Sequence, residues 1–113
     1  MTNLANQQCV PCQGGVPPMQ PEEIEELITD LHDDWDAVND HHLKRSFDLA
    51  DFEEALALTN DIGEIAEAEG HHPNIELTWG EVTVTIYTHK IDGLHKADFV
   101  LAAKIDELVE KDY

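Results

Sequence analysis

Apolar residues recur along this chain with two different periods. Ile24, Leu27, Ile28 and Leu31 are spaced three and four apart, the spacing of one helix face. Pro21 fits the first helical turn, where its missing N–H costs nothing, and Glu22 and Glu23 complement the positive end of the helix dipole. A helix over 21–33 is predicted. The period then shortens to two: Leu43, Arg45, Phe47 and Leu49 alternate with polar neighbours, and Asn39-Asp40 is a turn signal, so a hairpin of 35–38 and 43–49 follows. Asp51 with Glu54 three residues later resembles a capping box and opens a second helix. Its apolar positions are Phe52, Ala55, Leu56, Ile62, Ile65 and Ala66, with further ones at Leu58 and Ala68, so it is expected to be the most buried helix. Gly70 ends it as a left-handed cap, and Pro73 pushes His72 into an extended conformation.

Strict alternation returns in Ile75, Leu77, Trp79 and in Val82, Val84, Ile86, with the turn placed at Gly80-Glu81; this is the clearest hairpin in the chain. A last helix over 96–111 turns Phe99, Ala102, Ile105 and Val109 inward. The order α-β-β-α-β-β-α predicts an α+β two-layer domain, with a four-stranded antiparallel sheet and three helices on one face. Residues 1–20, with Gly14, Gly15, Pro17 and Pro18, read as a flexible N-terminal arm, and 21–113 as a single domain.

Composition narrows the function. The chain carries 25 Asp+Glu against 6 Lys+Arg, a net charge of −19. Phosphate recognition needs Lys and Arg, so direct nucleic-acid binding is not expected, nor is binding to an anionic membrane. Acids spread along the whole chain repel one another, and salt with a Debye length of ~10 Å or less relieves that repulsion. A salt-rich, halophilic setting is therefore expected, and melting followed against salt concentration tests it. No apolar run approaches the ~18 residues of a membrane span. MTNLANQQ lacks the basic start and apolar stretch of a signal peptide, so a cytoplasmic location is expected. Cys9 and Cys12 form a C-x-x-C that could be a redox pair or half a zinc site. No second C-x-x-C completes it, and GGVPP follows in place of a helix; two free thiols in the arm is the expectation.

The stretch EAEGHHPNIELTW, from Glu67 to Trp79, holds the most suggestive chemistry. His71 and His72 lie on a short connector between a helix-ending glycine and a strand-opening proline. They could be surface residues beside a cap, metal ligands, or acid–base groups, since imidazole titrates near neutrality (~6.5). A zinc site needs three or four ligands in fixed geometry, and adjacent histidines on one metal are strained; the H-E-x-x-H pattern is absent, so no metal is expected. Glu67, one helical turn before His71, could orient an imidazole. His89 could face the same region from the end of the last strand, and Asp98 could orient a histidine or cap the last helix. The second pair, His41-His42, reads as solvated loop histidines with no role, and His41→Ala is expected to change nothing.

Glu67, His71-His72-Pro73, Trp79, His89 and Asp98 match in type and spacing, seven positions over 32 residues, the signature of the pterin-4a-carbinolamine dehydratases. The resemblance extends over 21–113, through Trp35, FDLADFEEA and TWGEVTVTIYTH, and CVPCQGGVPP resembles the start of many bacterial-type members. It implies dehydration of 4a-hydroxytetrahydropterin to quinonoid dihydropterin, a hydro-lyase reaction in tetrahydropterin recycling that needs no cofactor. It implies His71 and His89 as an acid–base pair, with His72 at the reacting centre binding or orienting the pterin. It implies Glu67 and Asp98 as orienting groups, Trp35 lining the pocket and Pro73 bordering the substrate, while Pro73 and Trp79 shape the connector and pack the core. Partners implied are the pterin and further copies of the chain, as a homodimer or homotetramer. Animal members also serve as a dimerisation cofactor for a homeodomain transcription factor, and some members are linked to molybdopterin metabolism. A non-catalytic binding role and an accessory molybdopterin role are therefore the alternatives.

Overall fold

The computed structural model describes residues 4–7 and 17–113; Cys9 and Cys12 lie outside them. Among the described residues, helix α1 (Pro21–Ile28) leads into strands β1 (Asp36–Val38) and β2 (His42–Asp48). Helix α2 (Phe52–Glu69), strands β3 (Asn74–Thr78) and β4 (Glu81–Ile86) and helix α3 (Lys96–Asp112) follow. The strands form one antiparallel sheet in the order β1-β2-β4-β3. The α+β architecture read from the periodicity is the one the chain adopts.

The period-2 pattern places Leu43 opposite Ile86, Arg45 opposite Val84 and Phe47 opposite Val82. These residues are buried, while Lys44, Ser46 and Asp48 between them are exposed. Alternating residues of a strand point to opposite faces, so one face of the sheet is core. The helices cover that face, and burying each large aliphatic or aromatic side chain in it stabilises the fold by about 1.5–3 kcal/mol. Arg45 is the exception in the apolar row. Its guanidinium donates to Asp106 Oδ1 at 2.5 Å and lies 4.3 Å from the centre of the Phe47 ring, so the buried cation is paired.

Four details differ from the sequence expectation. Helix α1 ends at Ile28 rather than 33. The chain continues in tight turns, and the amide of His32 donates to Asp106 Oδ2 at 2.9 Å, which draws the backbone off the helix axis toward α3. The most buried helix is α3, not α2. All of Ala97–Ala103 is buried, whereas α2 buries the single stripe Ala55, Leu58, Ile62 and Ala66 and leaves Phe52 and Leu56 exposed. The β3–β4 turn is Trp79-Gly80, since Thr78 pairs with Glu81. Gly80 has φ +73, and a Cβ there would stand 3.3 Å from the Leu49 carbonyl oxygen, so glycine is the residue that fits. Trp79 thereby occupies a loop tip and is 71% exposed instead of packing in the core. Within the segment read as an arm, Leu4–Asn6 forms a short 3-10 turn with Leu4 buried, and Lys104 Nζ donates to the Ala5 carbonyl at 2.8 Å. No helix among the described residues is long and apolar enough to cross a membrane.

Candidate functional site

The connector between α2 and β3 is fixed by the helix that precedes it. Gly70 adopts φ +66, and the amide of His71 donates back to the Ala66 carbonyl at 3.2 Å, the long bond of a Schellman cap. The backbone of His71 is thus part of the helix terminus, while Pro73 turns the chain into β3. On the other side, β4 runs past Ile86 to Tyr87 and Thr88. Thr88 and Gly93 pair as an isolated bridge, with bonds of 2.9 and 3.4 Å closing the loop that carries His89 and Lys90.

Asp98 joins the two sides. It lies at the third position of α3 and is fully buried. Its Oδ2 accepts the amide of His95 at 2.8 Å, which caps the helix, and the Thr88 hydroxyl at 2.8 Å. Its Oδ1 accepts from His71 Nε2 at 2.5 Å. A buried carboxylate is tolerated only when its lone pairs are taken up, and three donors do so here. Because an ionised carboxylate only accepts, His71 must carry its proton on Nε2 in this contact, so Nδ1 is the nitrogen left to exchange a proton. The His71 side chain is 17% exposed.

His72 points elsewhere, as adjacent residues of an extended segment must. Its Nε2 contacts Glu67 Oε2, both side chains being largely in solvent, so this contact holds its ring far less firmly. His89 is exposed, and its ring lies 4.2 Å from that of Tyr87, tilted by 32°.

His71, His72 and His89 border one cleft of about 400 Å³, lined by Gly70–Asn74 and by Tyr87, Thr88, His89 and Lys90. The volume is within the range that takes a small heterocycle. A cleft of about 490 Å³ between Pro17–Gln20, α1 and His95–Lys96 is larger, but among the described residues no hydrogen-bonded pair of histidine and carboxylate side chains lines it.

The structure thus brings His71, His72, Pro73 and His89 to one opening, with Asp98 behind His71 and Glu67 beside His72. It does not bring Trp35 there. Trp35 is buried and its indole N–H donates to Asp106 Oδ1 at 2.7 Å, beside Arg45. Sequence reasoning missed Thr88, Tyr87, Asn74 and Lys90. Thr88 was within reach: extending the alternation of Val82, Val84 and Ile86 by one step turns it inward, onto Asp98. His41 and His42, expected to be solvated, are half-buried and have partners. His41 Nε2 donates to Asp92 Oδ1 at 2.8 Å, the two Nδ1 atoms lie 3.0 Å apart, and both rings approach Tyr87.

Known proteins share this chain's pattern. A family model described as pterin 4 alpha carbinolamine dehydratase matches residues 17–108. A protein of Alkaliphilus metalliredigens named as a putative pterin-4-alpha-carbinolamine dehydratase is 53% identical over 107 residues, covering 95% of this chain and 96% of its own. One of the same name from Rubrobacter xylanophilus is 52% identical over 108 residues, 96% and 100% of the two chains. Among solved structures, a transcriptional coactivator/pterin dehydratase from Brucella melitensis is similar with a TM-score of 0.74 and 28% identity, over 80% of this chain and 97% of that one.

Proposed function

Because the chain belongs to the pterin 4 alpha carbinolamine dehydratase family, we propose that it is a hydro-lyase that removes water from a 4a-hydroxytetrahydropterin by histidine acid–base catalysis. The observation that carries the reading is a cleft bordered by three histidines, one of them hydrogen-bonded to a buried carboxylate. The reaction needs little else. The C4a–O bond breaks as the hydroxyl takes a proton and leaves as water. The proton on the adjacent ring nitrogen N5 is removed, and the C4a=N5 double bond of the quinonoid dihydropterin forms. One group must donate and one must accept, and both must titrate near neutrality to do so at useful rates.

His71, with Nδ1 available and its ring fixed by Asp98, and His89, across the cleft, are the acid–base pair of this reading. His72, with Glu67 beside it, and Pro73 border the opening where the pterin binds. Trp35 supports the scaffold through Asp106. Fixing the ring of a proton-transfer group ahead of the reaction removes the entropic cost of aligning it. The same activity would return a pterin cofactor to use after a hydroxylation, which is the recycling role. Sheet edges β1 and β3 carry unpaired backbone groups that a second copy could cover, consistent with a homodimer or homotetramer.

The direct test follows loss of a 4a-hydroxytetrahydropterin, and formation of its quinonoid product, with the purified chain in molar salt. Saturable dehydration with a bell-shaped pH dependence is expected. A folded protein without activity would overturn the reading. It would favour the protein-binding alternative, which has support in the word coactivator attached to the Brucella melitensis structure.

A further inference from the structure

The three cleft histidines are not held alike. His71 has Asp98 and His72 has Glu67. Among the described residues, His89 has no hydrogen-bond or ion-pair partner for either ring nitrogen; its ring has only the face of Tyr87, 4.2 Å away. Tyr87 in turn meets His41, whose ring lies 4.7 Å away at a tilt of 41°, so two imidazoles pack against Tyr87. His41 can reach it because of the β1–β2 turn. Asn39 and Asp40 both have φ +54, the amide of His41 closes the turn on the Val38 carbonyl at 2.9 Å, and the ladder resumes only with Val38 opposite His42. His41 is therefore an extra residue outside the register, free to lean over β4.

The same imidazole also holds the loop that carries His89. Asp92 ends the tight turn His89–Ile91 with φ +49, and its amide donates to the His89 carbonyl at 3.2 Å. Its carboxylate accepts from His41 Nε2 at 2.8 Å. With that proton on Nε2, the 3.0 Å contact between the Nδ1 atoms of His41 and His42 needs one of the two to donate and the other to accept. One residue of the β1–β2 turn thus touches both Asp92, at the end of the turn that carries His89, and Tyr87, whose ring lies against that of His89.

We propose that His41 and Tyr87 are positioning residues for His89: the ring contacts His41–Tyr87 and Tyr87–His89 set the plane of an imidazole that no hydrogen bond among the described residues fixes, with the exposed His41–Asp92 bond a weaker tether. The inference rests on His89 acting at the cleft, and it reverses the sequence expectation that His41→Ala changes nothing.

The test uses the full chain in the dehydration assay, together with NMR of the histidine ring protons. His41→Ala should lower kcat by roughly 3–10-fold, the scale of one aromatic contact expressed as a rate, with KM changed less than about twofold and with the His89 ring resonances displaced. His41→Phe keeps a ring against Tyr87 and should recover most of the loss. Tyr87→Leu removes the central ring and should displace the His89 resonances even if His41→Ala folds poorly. His89→Ala separates the two readings. If it retains the wild-type rate, the assignment of His89 to the reaction falls, and this inference with it. If it is impaired while His41→Ala keeps wild-type kcat and unmoved His89 resonances, only the positioning role is overturned. A loss at His41→Ala that follows thermal stability and that His41→Phe does not rescue also overturns it.

Discussion

The chain contains two adjacent histidine pairs, and each follows a left-handed backbone position: Gly70 at φ +66 before His71-His72, and Asn39 and Asp40 at φ +54 before His41-His42. In each pair one ring meets a carboxylate brought from elsewhere in the chain. What separates them is the burial of that carboxylate. Asp98 is fully buried and accepts three donors, whereas the Asp92 side chain is 87% exposed and, among the described residues, accepts from His41. A carboxylate out of water has few alternatives and fixes its partner; one in water exchanges its partner for solvent and is screened. The first pair is therefore suited to proton transfer from a fixed ring, and the second to shaping a loop.

The comparison can be broken most forcefully at His71. His71→Ala should lose at least ~10²-fold in dehydration rate, the usual scale for one acid–base group; activity within a few-fold of wild type would put the chemistry elsewhere. Next comes the buried carboxylate. Asp98→Ala strips the acceptor from His71, Thr88 and the His95 amide at once, so urea unfolding should show a loss of about 3 kcal/mol. A loss under about 1 kcal/mol would mean that burial does not set the two pairs apart. Gly70→Ala is gentler. A Cβ there meets nothing within 4 Å, so only the left-handed conformation is penalised, by about 1–2 kcal/mol, and Gly70→Asn should be milder still. The smallest effect belongs to His42. Burial first, then His41 and Lys44, hold its pKa below the usual 6.5. The folded state thus resists protonation while the unfolded chain takes the proton, so stability should fall as pH drops through about 6.5 toward the lowered folded value. His42→Gln should flatten that part of the acid limb, and an identical limb in the variant would remove His42 from the account.

Much of this was legible without coordinates because it depends on local periodicity. Val82, Val84 and Ile86 could only be a half-buried strand, Asp51 and Gly70 bracket α2 by cap chemistry, and Glu67, His71, His72, His89 and Asp98 stand out by type and spacing. Misreadings arose where a distant partner overrode a local pattern. The spacing of Leu31 continues helix α1, yet Asp106 takes the His32 amide and ends it. Trp79 alternates with Leu77 as a core residue would, yet the register places it in the turn. Trp35 was assigned to the pterin pocket by resemblance, yet its indole is bound to Asp106.

Residue order by itself determined the α+β architecture, the connector that holds His71 and His72, and the residue types available for acid–base work, because helix caps, strand alternation and side-chain chemistry act within a few residues of one another. The tertiary structure decided which carboxylate serves which histidine. His71 and Asp98 are 27 residues apart and His41 and Asp92 are 51 apart. Such pairs exist only once the sheet has set β4 beside β2 and has brought the start of α3 beneath the end of α2, where burial gives the Asp98 contact the rigidity that the exposed Asp92 contact lacks.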